Sequence, residues 1–336
     1  GPAKGPSSSV VPGDADVAGS EIDAGASGYI RPARMNPYLT SFSISDLEEF
    51  TGVKAHTIRI WERRYGLLTP ERTGTNIRRY GVEQLRNLMN VAYLNENGVK
   101  ISKVAAMTPA DRATRVREMA EKGNGPQALL NELKMAMLRF DEGAFTDAAR
   151  TFRQSEGFRS LAENVYLPLL ETVGMLWQTD SICPANEHCV SCLVRRHIEA
   201  ETNSLPAVPN GNNTIVLFLP EHEIHELGLL YVNYLLRSNG RFTIYLGQSL
   251  PVNDLGDLVK VLPGDLTFVS ILTSAPWSIG LEGFLARLSE QLIDTSAQVW
   301  LTGPQIASAV AAGVTHARFR LLPSFQDLRP LLVSPI

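Results

Sequence analysis

The sequence predicts a multidomain chain: an α-helical winged helix-turn-helix, then a helical bundle, then an α/β doubly wound parallel sheet of five strands. Three observations carry that expectation. Short capped helices followed by an Arg-rich extended stretch occupy residues 40–107. Residues 126–205 show helical periodicity and no strand signal. From residue 211 to 336 five apolar runs alternate with helical segments, as in a parallel sheet covered on both faces.

Residues 1–38 are rich in Gly, Ala, Ser and Pro and are expected to be a disordered tail, because they offer too little apolar surface to order themselves. Ser45 is the expected cap of a first helix over Asp46–Phe50, stopped by Gly52. A turn at Val53–Ala55 leads into a second helix from Thr57 to Tyr65, closed by Gly66. Leu67–Tyr80 reads as an extended wing that turns at Gly74-Thr-Asn76. Helices over Val82–Asn97 and Lys100–Ala106 follow. Thr108 and Asp111 then cap a charged linker helix that breaks at Gly123-Asn-Gly125, giving a linker over residues 108–125. In the next segment Leu130, Leu133 and Met137 share one helical face, and Leu169, Val173, Leu176 and Trp177 share another. Four helices with short connections predict a bundle. After a loop at Pro206–Asn213, the expected strands are Thr214–Leu219, Phe242–Leu246, Leu266–Leu272, Val299–Thr302 and Arg318–Leu322.

Composition narrows the function classes. The chain has 336 residues, 44% hydrophobic and 20% charged, which is ordinary for a globular protein. No apolar run is long enough to cross a bilayer and no leader opens the sequence, so a cytoplasmic location without a membrane partner is expected. Cys183, Cys189 and Cys192 crowd one stretch, an odd count that points to free thiols. The net charge of -4 conceals a basic region: Lys54, Arg59, Arg63, Arg64, Arg72, Arg78 and Arg79 face only Glu62 and Glu71, a surplus of five. Such a footprint suits a polyanion, and the second helix of a helix-turn-helix enters the major groove of DNA.

The segment Thr57-Ile-Arg59, Trp61-Glu-Arg63-Arg64-Tyr65-Gly66-Leu67, Pro70-Glu-Arg72 and Arg78-Arg79-Tyr80 closely resembles the winged helix-turn-helix of the MerR family. The resemblance implies that Thr57, Arg59, Arg63, Arg64 and Tyr65 meet double-stranded operator DNA from the helix, with Arg78 and Tyr80 at the wing. It also implies a homo-oligomer, dimer or tetramer, on DNA. A merely solvated basic face would explain the arginines but not Trp61, Gly66 and Pro70 at their offsets.

A second constellation lies at the first strand of the sheet region. His225 falls just past that strand, at the carboxyl edge where doubly wound sheets bind ligands, and Glu223 is placed to orient its second ring nitrogen. Glu223-Ile-His225-Glu-Leu-Gly228 is followed after 41 residues by Ser270-Ile-Leu272. The pattern resembles the cobalamin signature Asp-x-His-x-x-Gly, Ser-x-Leu, Gly-Gly, with His225 as the metal ligand. Glu223 replaces the signature Asp. The closing Gly-Gly is represented by Thr302-Gly303, so a side chain stands where the cofactor's nucleotide tail is expected. His222 lies outside the signature.

Trp177, nine intervening residues and Glu187-His188 resemble the Trp-x9-Glu-His element of CarH/LitR-type cobalamin photoreceptors. That resemblance implies a helical cap over the upper face of the cofactor, adenosylcobalamin, with Trp177 in the space of the adenosyl group. The light-sensing members carry His directly after the Trp; here Gln178 stands there, a poor cobalt ligand beside imidazole. The implied function is a cobalamin-dependent, light-responsive repressor whose cofactor state controls oligomerisation and operator binding. The alternative is a MerR-type regulator that senses cobalamin level, another tetrapyrrole or a protein partner without light. A thiolate metal site from Cys183, Cys189 and Cys192 with His188 and His197 lacks a second pair at zinc spacing. A cobalamin enzyme or methyl carrier needs a catalytic barrel for which no segment has the length, so no enzyme activity is expected.

Overall fold

The computed structural model describes residues 41–121, 125–179, 181–209, 211, 213–274 and 279–333. The expected tail at residues 1–38, and residues 122–124 of the expected break, lie outside the described residues.

Strand β1 (Ser41–Phe42) precedes helices α1 (Ile44–Thr51) and α2 (Ala55–Tyr65). The cap of α1 is Ser43, not Ser45. Asp46 sits three residues after Ser43 and completes a reciprocal box: Ser43 Oγ accepts the Asp46 amide at 3.1 Å, and the Asp46 carboxylate accepts the Ser43 amide at 2.6 Å. Three residues after Ser45 comes Glu48, whose carboxylate accepts instead from Lys54 Nζ and the Ala55 amide. Gly52 and Gly66 end the two helices in the left-handed conformation. The wing is β2 (Glu71–Arg72) against β3 (Arg78–Gly81), and β1 pairs with the other edge of β3. Helices α3 (Val82–Glu96), α4 (Ile101–Ala106) and α5 (Pro109–Glu121) complete the amino-terminal unit. Far from being a free spacer, α5 is tied down by buried Arg112, which donates to the carbonyls of Val104 and Ala105 and to Asn87.

The bundle comprises α6 (Gly125–Arg139), α7 (Glu142–Glu156), the run α8 (Phe158–Leu161) through α9 (Leu167–Gln178), and α10 (Pro184–Ser204). A π-helical turn at Ala162–Tyr166 joins α8 to α9, where Pro168 removes a backbone donor. Leu130, Leu133, Met137, Leu169, Val173 and Leu176 are buried as their periodicity predicts, whereas Trp177 is 39% exposed. The bundle grips α1 directly. Thr179 Oγ1 donates to Glu49 at 2.6 Å, Ser181 Oγ lies 2.7 Å from Asp46 and 2.8 Å from Glu49, and buried Lys134 donates to the Phe50 carbonyl at 3.3 Å.

Strands β4 (Asn213–Pro220), β5 (Thr243–Leu250), β6 (Asp265–Ile271), β7 (Gln298–Thr302) and β8 (Arg320–Leu322) form a parallel sheet in the order β5-β4-β6-β7-β8. Helices α11 (Leu227–Ser238), α12 (Asp254–Val261), α13 (Gly280–Gln291) and α14 (Pro304–Ala311) make the crossovers, and α15 (Phe325–Val333) follows the last strand. Strand order reverses at β4, between β5 and β6, which is the switch point where such sheets bind ligands beyond their carboxyl ends. One apolar core runs from Phe42 through the bundle to α11 and Leu332, and a second, around Phe218, Phe268 and Leu288, fills the other side of the sheet. Among the described residues no helix is long and apolar enough to cross a membrane.

Candidate functional site

Ile58 and Trp61 bury one face of α2, which leaves Arg59, Arg63 and Arg64 exposed on the other and Thr57 and Tyr65 half-buried. The Arg64 guanidinium lies 5.4 Å from the centre of the Tyr65 ring. The two wing residues meet the same carboxylate. Tyr80 is fully buried and donates its hydroxyl to Glu62 at 3.0 Å; Arg78 Nε donates to the same carboxylate at 3.2 Å. Tyr80 therefore cannot reach DNA, because its ring is core and its hydroxyl is committed. Arg78 and Tyr80 use Glu62 to fix the wing to α2, while Arg72 on the wing edge is exposed and donates to Asn76 at 2.7 Å.

At the carboxyl edge of the sheet, the loop after β4 carries Glu223 and His225. Glu223 is completely buried and His225 is half-exposed, its side chain at 53%. His225 Nδ1 lies 2.6 Å from Glu223 Oε1, which also accepts the His225 amide at 3.0 Å. A carboxylate only accepts, so Nδ1 carries the proton and Nε2 keeps a lone pair for a metal. Glu223 Oε2 is held in turn by the amides of Thr273 and Ser274, at 2.9 and 2.8 Å, just past β6. Burial pushes the Glu223 carboxyl up, but the bonds from the His225 ring and from the Ser274 and His225 amides outweigh it and hold it at about 2. Its bond to Glu223 pushes the His225 imidazole up against the opposing effect of burial, and the fields of Glu223 and Glu187 add to the rise. Glu187 lies in the first turn of α10, so a carboxylate of the bundle contributes to the field at His225.

Gly228, in the first turn of α11, packs against β6: a Cβ there would lie 3.2 Å from Ile271 Cδ1. Ser270 is fully buried, and its hydroxyl has no hydrogen-bond partner among the described residues. Leu272 and Thr302 stitch the ends of β6 and β7 together through Leu272 N–H to Thr302 O at 2.8 Å. Gly303 has φ 109°, and a Cβ would come within 2.6 Å of the Leu272 carbonyl oxygen, so only glycine fits. Thr302 is buried at 4% exposure. On the bundle side Glu187 accepts from Ser191 at 2.7 Å, and His188 projects into solvent with 77% of its side chain exposed. His222 adopts φ 68° and is exposed, consistent with a place outside the signature.

The cysteines gather no site. Among the described residues no group of three or more His, Cys, Asp and Glu is placed to hold a metal ion, and the three thiols are free. His197 instead pairs with Tyr166 inside the bundle, near Thr146.

Two features of the loop escaped the sequence reading. Ser274 anchors Glu223 from outside the recognised motif. Glu226, next to His225, is buried at 5% exposure and ion-paired to Arg195 of α10. A charged residue at a helix start gives no sequence signal for such a partner.

The fold joins a helix-turn-helix head to a helical bundle and a doubly wound sheet with His225 at its carboxyl edge. Comparison with known proteins gives the class. Residues 42–111 match the MerR HTH family regulatory proteins, and residues 129–200 match the B12 binding domain. The chain is 31% identical over 270 residues to the HTH-type transcriptional repressor CarH of Myxococcus xanthus, covering 78% of this chain and 89% of that one. It is 29% identical over 242 residues to the repressor CarA of the same organism, covering 69% and 77%. The monomethylamine corrinoid protein of Methanosarcina barkeri aligns with a TM-score of 0.49 at 15% identity, covering 61% of this chain and 98% of that one. The chain belongs to the CarH family of MerR-type, B12-binding transcriptional regulators.

Proposed function

We propose that this regulator is a repressor that reads double-stranded operator DNA with α2 and its wing and holds adenosylcobalamin between bundle and sheet. The observation that carries the reading is the buried Glu223 carboxylate, which fixes the His225 tautomer with Nε2 free at the sheet's switch point. The donor set fits a corrinoid. An imidazole oriented by a buried carboxylate is a strong axial ligand, and the orphaned Ser270 hydroxyl is a polar group in want of a partner at the edge where a nucleotide tail would enter. Cobalamin would supply a cobalt centre that an imidazole can ligate and, in its adenosyl form, a light-labile bond.

The chain's own residues do the rest. His225 would ligate the metal, Glu223 keeps its ring in register, and Gly228, Leu272 and Gly303 keep the neighbouring strand and helix ends close-packed. Thr302 fills space that a smaller residue would leave for the tail. Trp177, at the end of α9, and Glu187 would bound the site from the bundle side, with solvent-facing His188 next to Glu187. Arg59, Arg63 and Arg64 supply phosphate and base contacts, so affinity should fall steeply with salt. Coupling of cofactor state to operator affinity follows from linkage through oligomerisation, dimer to tetramer, with avidity on repeated half-sites. A cytoplasmic location suits this role.

Gln178 supports a second reading, in which the protein responds to the amount of cobalamin, another tetrapyrrole or a partner without light. A carboxamide follows Trp177 where the light-sensing relatives have an imidazole to capture cobalt. Absorbance spectra and operator mobility shifts with adenosylcobalamin, in the dark and after illumination, separate the two. Light-dependent release of DNA supports the first reading, and cofactor-dependent, light-independent binding supports the second. Failure to retain any corrinoid overturns both as cobalamin sensors.

A further inference from the structure

We infer that Arg195 and Glu226 form a latch that positions the His225 loop against the helical lid and so governs how firmly the cleft holds its corrinoid; the inference rests on the cobalamin reading of the site. Glu226 directly follows His225 and is the residue from which α11 departs: its carbonyl accepts the Leu230 amide at 2.9 Å. Its carboxylate is held from two sides. One oxygen, Oε1, lies directly against the Arg195 guanidinium of α10 as a charge contact without a hydrogen bond, and the other accepts the Tyr245 hydroxyl of β5 at 3.0 Å.

The loop that bears His225 is therefore pinned at two points. Glu223 ties it to the amides beyond β6, inside the sheet module, while Glu226 ties it to the bundle. His225 lies between the two anchors. The helix that supplies Arg195 also supplies Glu187 and His188, eight and seven residues earlier, about 11–12 Å along the same rod. A rigid helix with one end over the cofactor face and its middle clamped to the ligand loop fixes the opening of the cleft. Lid movement and loop movement become one motion.

Simple stabilisation is a poor account of the pair. A charge pair with one partner this deeply buried gains little over apolar residues of similar volume, whereas it fixes geometry that apolar contacts leave free. The bundle and sheet also have other ties. Glu163 accepts the Tyr231 hydroxyl at 2.9 Å and pairs with Arg329 at 3.4 Å, and the Phe158 and Tyr234 rings meet edge-to-face at 4.8 Å. These contacts keep the modules docked when the latch is cut.

The test uses the full chain as Arg195→Met, Arg195→Lys and Tyr245→Phe variants, with wild type and His225→Ala alongside. Three quantities are read: the release rate of hydroxocobalamin, the absorbance signature of the imidazole-ligated corrinoid, and amide hydrogen exchange across residues 221–227 without cofactor. Arg195→Met should release hydroxocobalamin about ten- to a hundredfold faster, the range typical for losing a partner that orients a metal ligand. It should weaken the ligation signature and speed exchange in the loop. Arg195→Lys should restore most of each readout, and Tyr245→Phe should show a smaller loss. Wild-type release and wild-type loop exchange in a folded Arg195→Met variant overturn the latch. If the wild type itself retains no hydroxocobalamin, the cobalamin reading fails, and the exchange arm alone still decides whether Arg195 holds the loop.

Discussion

Replacing Glu223 by Gln tests the geometry of the site before any cofactor is added. The carboxylate accepts four close bonds: the His225 ring and amide on Oε1, and the Thr273 and Ser274 amides on Oε2. A carboxamide keeps one acceptor oxygen, so in either orientation its NH2 group confronts two donors. Leaving two buried donors unmatched costs roughly 1–3 kcal/mol each. An independent route gives a similar size: holding the carboxyl at about 2 instead of its ordinary 4.5 corresponds to roughly 3 kcal/mol at about 1.4 kcal/mol per unit. Glu223→Gln should therefore destabilise the cofactor-free protein by about 3 kcal/mol, a melting shift of roughly 6–12 °C.

The pH dependence of that loss has a definite sign. Because the Glu223 carboxyl is depressed, its contribution is complete above 4.5 and disappears as pH falls towards about 2. The His225 imidazole is raised, so its share is complete below its ordinary 6.5 and disappears as pH climbs through the folded value. The gap between wild type and Glu223→Gln should accordingly be widest between pH 4.5 and 6.5 and narrow on both sides. Circular-dichroism melts from pH 3 to 8 measure it. A gap below about 1 kcal/mol, flat across that range, refutes the argument that these bonds hold the loop.

Other outcomes follow from the same geometry. Ser270→Ala removes an orphaned buried hydroxyl and should leave the cofactor-free protein as stable or about 1 kcal/mol more so, while isothermal titration should show weaker cobalamin binding; unchanged binding removes Ser270 from the site. Gly303→Ala should cost about 3 kcal/mol or more, visible in melting and soluble yield, because its Cβ would collide with the Leu272 backbone at an unfavourable φ. Arg63→Ala should weaken operator binding and lower the slope of log affinity against log salt by about 1. Tyr80→Phe should instead soften the head's thermal stability by about 1 kcal/mol and leave that slope unchanged.

What the sequence revealed, and what it concealed, divides along physical lines. The central strands were legible because they are covered on both faces and so read as unbroken apolar runs, as in Ile215–Leu219, while the half-exposed edge strands β5 and β8 were legible from their place in the alternation with helices. Glu223 and His225 were legible as a pair because a ligand and its orienting carboxylate lie two residues apart on one loop. The expected cap lies two residues late, at Ser45, because the reciprocal bond between Ser43 and Asp46 is visible only once the helix start is folded. Tyr80 resembled a wing contact in sequence, yet burial against Glu62 depends on how the wing folds back. Arg195 and Glu226 come from different modules, and no local pattern marks a contact of that kind.

The account stands most directly on the axial role of His225. Hydroxocobalamin titrated into wild type and into His225→Ala, followed by absorbance and by retention on gel filtration, measures it. The account predicts a stoichiometric, retained complex with an imidazole-ligated spectrum for wild type, and a spectrum lacking that signature with at least tenfold weaker retention for His225→Ala. Identical spectra and identical retention for the two proteins contradict it.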